Sequence, residues 1–173
     1  VEHYNALLKS ALNRRLSAPE EKKTPSLFFW GKSLIPTYYI SNSTDRFSFY
    51  TKINKAKKEK EFKDIKNELR DRYGRIPKET QCFIKLAELR FLYRGSLVNT
   101  IVINESSLVF KVPSKITSSE NQIIPNILSY ESNSVVEKRF KEEPNSVSVI
   151  LLTEKGYDWY KEIIDCNSLF YKP

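Results

Sequence analysis

The order of apolar and polar positions divides the chain into a helical first half and a mixed second half. From Tyr4 to Leu16, the residues Tyr4, Leu7, Leu8, Ala11 and Leu12 recur at helical spacing and predict one amphipathic helix, ended by the prolines and charges of Ser17 to Pro25. Leu27-Phe28-Phe29-Trp30 is short and aromatic, suits an extended strand, and is closed by Gly31 and Pro36. Ser43 or Thr44 is placed to cap a helix carrying Phe47, Tyr50 and Ile53. A second helix is expected from about Lys58 to Tyr73, with Phe62, Ile65, Leu69 and Tyr73 on one face and Gly74 as its stop. Pro77 suits the first turn of a third helix that runs to Arg94. Apolar residues from Phe83 to Tyr93 cover most of that helix's circumference, so it is expected to be the central, most buried element.

After Gly95 the period changes. Ile101 to Ile103 and Leu108 to Val112 flank the polar stretch Asn104 to Ser107 and predict a hairpin. Residues 114–122 read as a loop, Ile123 to Tyr130 as a short helix with Pro125 in its first turn, and Ser146 to Leu152 as a strand. Thr153 is placed to cap a last helix with Trp159, Ile163 and Cys166 on one stripe. Helices first and strands afterwards imply an α+β fold, a helix-rich N-terminal half followed by a small β-sheet with a C-terminal helix. The expected division is an arm over residues 1–33 and a main domain over residues 34–173.

Composition narrows the classes. With 173 residues, 40% of them hydrophobic, the chain is long and apolar enough for one domain with its own core. No run approaches the roughly 18 apolar residues of a membrane-spanning helix, and no signal segment opens the chain, so a soluble cytoplasmic protein without a membrane partner is expected. Methionine is absent even at position 1, which points to a piece of something longer. Two cysteines, Cys82 and Cys166, with the single histidine His3 cannot complete an ordinary four-ligand zinc site or a disulfide framework. Both cysteines are expected to pack as small apolar side chains. The four glycines never cluster into a phosphate-cradling loop, so no nucleotide or other cofactor is expected.

Charge supplies the candidate chemistry. The net charge is +8, and residues 44–112 carry +7 of net charge against −2 over residues 113–173. The most basic stretch holds Lys52, Lys55, Lys57, Lys58, Lys60, Lys63 and Lys66, of which Lys55, Lys57, Lys58 and Lys63 are candidate nucleic-acid phosphate contacts. The plainer account is a solvated helix face, since Glu59, Glu61 and Asp64 are interleaved. No aromatic residues alternate with these lysines as a single-strand-binding groove would require. In the same helix, projection at 100° per residue turns Asp64, Glu68 and Asp71 away from the apolar stripe and puts Arg72 at its margin. A ladder from Lys60 to Asp64 and from Glu68 to Arg72 would satisfy this row without any partner. A carboxylate row on a convex helix has nothing to build a cleft over it, so no catalysis is expected.

Four stretches, in order, resemble the C-terminal region of the bacterial transcription-repair coupling factor (Mfd) family. Ser33-Leu34-Ile35-Pro36 followed by Tyr39-Ile40 is similar to the family's SLLPDDFIP, and Asp45 to Ile53 is similar to NTRLSFYKRI. Glu68-Leu69-Arg70-Asp71-Arg72-Tyr73-Gly74-Arg75-Ile76-Pro77 resembles ELIDRFGLLP, and Leu86 to Arg90 resembles LARLR. Together these span residues 33–95, while residues 113–144 match nothing specific and the final strand and helix agree in type more than in sequence. Upstream, Tyr4 to Leu12 is similar to the helix leaving the second motor lobe, which makes residues 1–33 an arm from a preceding motor domain. The resemblance implies a non-catalytic regulatory domain of an ATP-driven DNA translocase that acts on stalled RNA polymerase. It implies docking on the parent's N-terminal UvrB-like module, masking of UvrA recruitment and restraint of the motor. The family's contact residues correspond to Glu68, Asp71 and Arg72.

Overall fold

The computed structural model describes residues 22–117 and 123–171, and the helix expected over residues 4–16 lies outside them. The elements are β1 (Ser26–Phe29), α1 (Ser43–Lys55), α2 (Glu59–Tyr73), α3 (Lys78–Leu92), β2 (Thr100–Asn104), β3 (Ser107–Pro113), α4 (Ile123–Ser129), β4 (Val135–Glu143), β5 (Ser146–Thr153) and α5 (Trp159–Cys166). Among the described residues no helix is long and apolar enough to cross a membrane.

The five strands form one mixed sheet in the order β1-β2-β3-β5-β4. β1 runs parallel to β2, and every other pair is antiparallel. This is the α+β architecture expected, with one addition: β4, a nine-residue edge strand, was not foreseen. Its sequence, Val135 to Glu143, is mostly charged and lacks the clean period-two pattern of a half-buried strand. Such charges are what a free sheet edge carries to discourage further pairing.

Two buried clusters share α3. On the sheet side, alternate residues Ile101, Ile103, Leu108, Phe110, Val149 and Leu151 face Leu86 and Leu89 of α3 and Tyr93 at its C-terminal cap, with Ile163, Cys166 and Phe170 closing the cluster. The Tyr93 hydroxyl donates to the Ile163 carbonyl at 2.7 Å, which satisfies a polar atom in an otherwise apolar interior. On the helical side, Ile84 and Ala87 of the same helix meet Phe49 and Ile53 of α1, Phe62, Ile65 and Leu69 of α2, and Ile35 and Ile40 from the segment before α1. α3 is therefore the hinge between both halves, as its nearly continuous apolar surface implies.

Two caps differ from expectation. Asn42, not Ser43 or Thr44, caps α1, because its side-chain oxygen reaches the Asp45 N–H at 3.0 Å while Ser43 is already the first helical residue. Asp158, not Thr153, caps α5 and accepts from the Lys161 N–H at 3.1 Å. Thr153 is the last residue of β5, and the intervening turn at Gly156 delays the helix.

Gly74 ends α2 with φ +79° and ψ −152°, a region open essentially to glycine alone. Nothing lies within 4 Å of where a Cβ would stand, so strain would be purely conformational. Gly74→Ala is expected to destabilise the fold by about 1–3 kcal/mol despite its exposed position, read as a lower denaturation midpoint at unchanged slope.

Candidate functional site

The outward flank of α2 and the adjacent face of α1 carry a connected set of charges. Lys52 of α1 donates to both carboxylate oxygens of Glu68 at 2.9 Å. Arg72 donates to Glu68 Oε1 at 3.2 Å and its second terminal nitrogen lies 3.5 Å from Asp45 Oδ2. Tyr73 completes the chain by donating its hydroxyl to the same Asp45 oxygen at 3.1 Å. Beneath the charges lie aromatic faces: the Arg72 guanidinium sits 5.5 Å from the Phe49 ring and 5.0 Å from the Tyr73 ring, and Lys52 Nζ is 5.0 Å from Phe49.

Local sequence explains why these groups meet. Glu68 and Arg72 are one helical turn apart on α2, and Asp45 and Lys52 are seven apart on α1, so each pair lines one side of its helix. Phe49, between Asp45 and Lys52, is buried with Leu69 and thereby brings the two sides together. Tyr39 fixes the end of α2 by donating to the Leu69 and Gly74 carbonyls, both at 3.1 Å. The Lys52 ammonium, by hydrogen bonding, holds the Glu68 carboxyl below its usual range against a smaller opposing effect of burial, and Arg72 adds to the lowering.

The sequence-derived candidates fall into two groups. Glu68 and Arg72 are in this network with side chains 35% and 45% exposed, and Asp71 stands exposed beside them without an ion pair among the described residues. The Lys60 to Asp64 step of the expected ladder carries no ion pair, whereas the Glu68 to Arg72 step does. Lys55, Lys57, Lys58 and Lys63 are all exposed and belong to no ion pair among the described residues. Lys66 is instead committed to Glu88 of α3, whose other oxygen accepts from Tyr160 at 2.8 Å.

Asp45, Lys52 and Tyr73 complete the network but are not evident from a single-helix projection, because three of its links cross between α1 and α2. No group of three or more metal-binding side chains occurs among the described residues. Both cysteines are free, and burial pushes the Cys166 thiol up to about 12, far from a reactive thiolate.

The TRCF domain family matches residues 31–123, which contain the whole network. A transcription-repair-coupling factor of Borreliella burgdorferi is 29% identical over 140 residues, covering 79% of this chain and 12% of that protein. The Escherichia coli protein of the same name is 41% identical over 58 residues, which is 34% of this chain and 5% of that one. The chain thus spans a small part of the curated relatives' length. A crystal structure of the C-terminal domain of transcription-repair coupling factor shares the fold, with TM-score 0.69 and 17% identity over 87% of this chain and 94% of that one. With more than half of its length matched by the family, this chain belongs to the TRCF domain family, as a domain of a transcription-repair coupling factor.

Proposed function

We propose that the chain is a non-catalytic docking module that binds the UvrB-like N-terminal module of its parent protein through the ridge formed by Glu68, Asp71 and Arg72. In this reading, docking masks the surface that recruits UvrA and restrains the ATP-driven motor, which works in the cytoplasm on RNA polymerase and DNA. The observation that carries it is the pre-ordered network: Asp45 and Lys52 hold Arg72 and Glu68 in place at the surface. Charged side chains fixed before contact lose less conformational freedom on binding. Exposed ion pairs of this kind add little to fold stability, so the network has weight mainly toward a partner.

Charges at such a rim orient a partner more than they hold it. Tethering within one polypeptide supplies the effective concentration that a modest interface needs, and leaves the contact reversible. The lowered Glu68 value sets the pH sense. The Lys52 hydrogen bond keeps Glu68 ionised as pH falls through the ordinary carboxylate range, so the ridge keeps its charge there. Docking is therefore expected to hold through neutral and mildly acidic solution.

The test is calorimetric titration of the isolated UvrB-like module with the wild-type chain and with the Glu68→Ala/Asp71→Ala/Arg72→Ala variant. Weakening of at least about tenfold, roughly 1.4 kcal/mol, with an unchanged melting midpoint is expected. Equal affinity in the two folded proteins would refute the reading.

A further inference from the structure

The flank of α2 that turns toward α3 leads to a second charged surface. The C-terminal ends of α1 and α3 and the segment entering β1 enclose a cleft of about 320 Å³ lined by Lys22, Lys57, Arg90 and Arg94, with Thr24 and Asn54 between them. No carboxylate lines it, and none of the four cations belongs to an ion pair among the described residues. The Arg90 guanidinium donates to the Asn54 side-chain oxygen at 3.4 Å, which orients it without neutralising it.

Two helix C-termini meet here, and their dipoles attract cations. Roughly half a negative charge at each end balances about one cation, and four converge. Lys22 also arrives from a segment belonging to neither helix. Phe91 forms a wall of this cleft and of a neighbouring one of about 800 Å³ between α2, α3 and α5, whose rim carries Lys60, Lys63 and Arg70. Glu59 and Glu88 also line that second cleft, but Glu88 is already engaged by Lys66 and Tyr160. Cationic side chains thus run from one cleft into the next.

We propose that these two clefts form a binding track for the phosphodiester backbone of nucleic acid, with Arg90 and Arg94 as its central anchors. A guanidinium presents paired donors that match phosphate oxygens, and a row of cations fits a polymer that repeats its charge. Phe91, only partly exposed, is the one aromatic ring in the smaller cleft against four cations, so its contacts are to phosphate and largely independent of sequence. The track shares no side chain with the docking ridge, so either can fail without the other.

Fluorescence anisotropy of a labelled 30-base-pair duplex with the full 173-residue chain tests this. The four cations of the smaller cleft alone predict that affinity falls by at least roughly a hundredfold between 50 and 200 mM salt. The Arg90→Gln/Arg94→Gln variant should bind at least about tenfold more weakly at low salt, with the log-log salt slope reduced by about two. The Lys141→Gln/Lys155→Gln variant, which removes two exposed lysines elsewhere, should bind as the wild type does, and the melting midpoint of each variant shows that it is folded. Absence of binding at 50 mM salt, equal affinity of the folded double-arginine variant, or displacement of DNA by an equal charge concentration of polyglutamate would overturn the proposal.

Discussion

Leu69→Ala is expected to destabilise the domain by about 2–5 kcal/mol, the range for emptying a fully buried leucine site. Leu69 has no exposed surface and lies in the middle of the helical cluster, flanked by Phe49, Phe62 and Ile65. Its carbonyl also receives the Tyr39 hydroxyl at 3.1 Å, so the backbone there has little freedom to close over a void. Urea denaturation checks the magnitude. A loss below about 1 kcal/mol would mean that the cluster rearranges, contrary to the packing described. Leu69 and Glu68 are sequence neighbours with opposite expected phenotypes. The first is needed for the fold, and the second only for what the fold presents.

Phe110→Ala is expected to cost more, about 3–5 kcal/mol. The ring is fully buried, stacked 4.6 Å from Phe170 and 6.1 Å from Tyr93, in the part of the sheet that α3 and the C-terminal segment both cover. Because α3 supplies side chains to both clusters, loss at Phe110 should lower the stability of the helical half too, and unfolding should remain a single transition. Far-ultraviolet circular dichroism and tryptophan fluorescence recorded on the same samples check this, since Trp159 packs against the sheet-side cluster. Separate midpoints would show that the halves are independent.

The helices and the central strands were legible in the sequence because each buries one side. Phe62, Ile65 and Leu69 mark the inner face of α2, and Ile101 and Ile103 that of β2, so period alone identifies both elements. β4 was not legible, because an edge strand with charged residues on both faces has no such signature. The cap of α1 was misplaced because Asn42, Ser43 and Thr44 are all competent capping residues and only the turn preceding α1 decides among them, and that of α5 because Thr153 is taken up as the end of β5. The outward direction of Glu68 and Asp71 followed from projection. Their connection to Asp45 and Lys52 did not, because it depends on how α1 lies against α2. The cluster of Lys22, Lys57, Arg90 and Arg94 escaped for the same reason, its members being spread over 73 positions of the chain.

The way the polypeptide enters the fold has a mechanical consequence. β1 is a four-residue edge strand held in register by Ser26, Leu27, Phe28 and Phe29 against β2, and the helical cluster begins only after it, at Ile35. Tension applied upstream of Lys23 is therefore borne first by the hydrogen bond that the Gly95 N–H donates to the Lys23 carbonyl and then by those four residues, before any force reaches α1 or α2. A pull strong enough to peel β1 away would lengthen the tether by several residues and leave the ridge intact, so the strand would act as a fuse between the domain and whatever moves it.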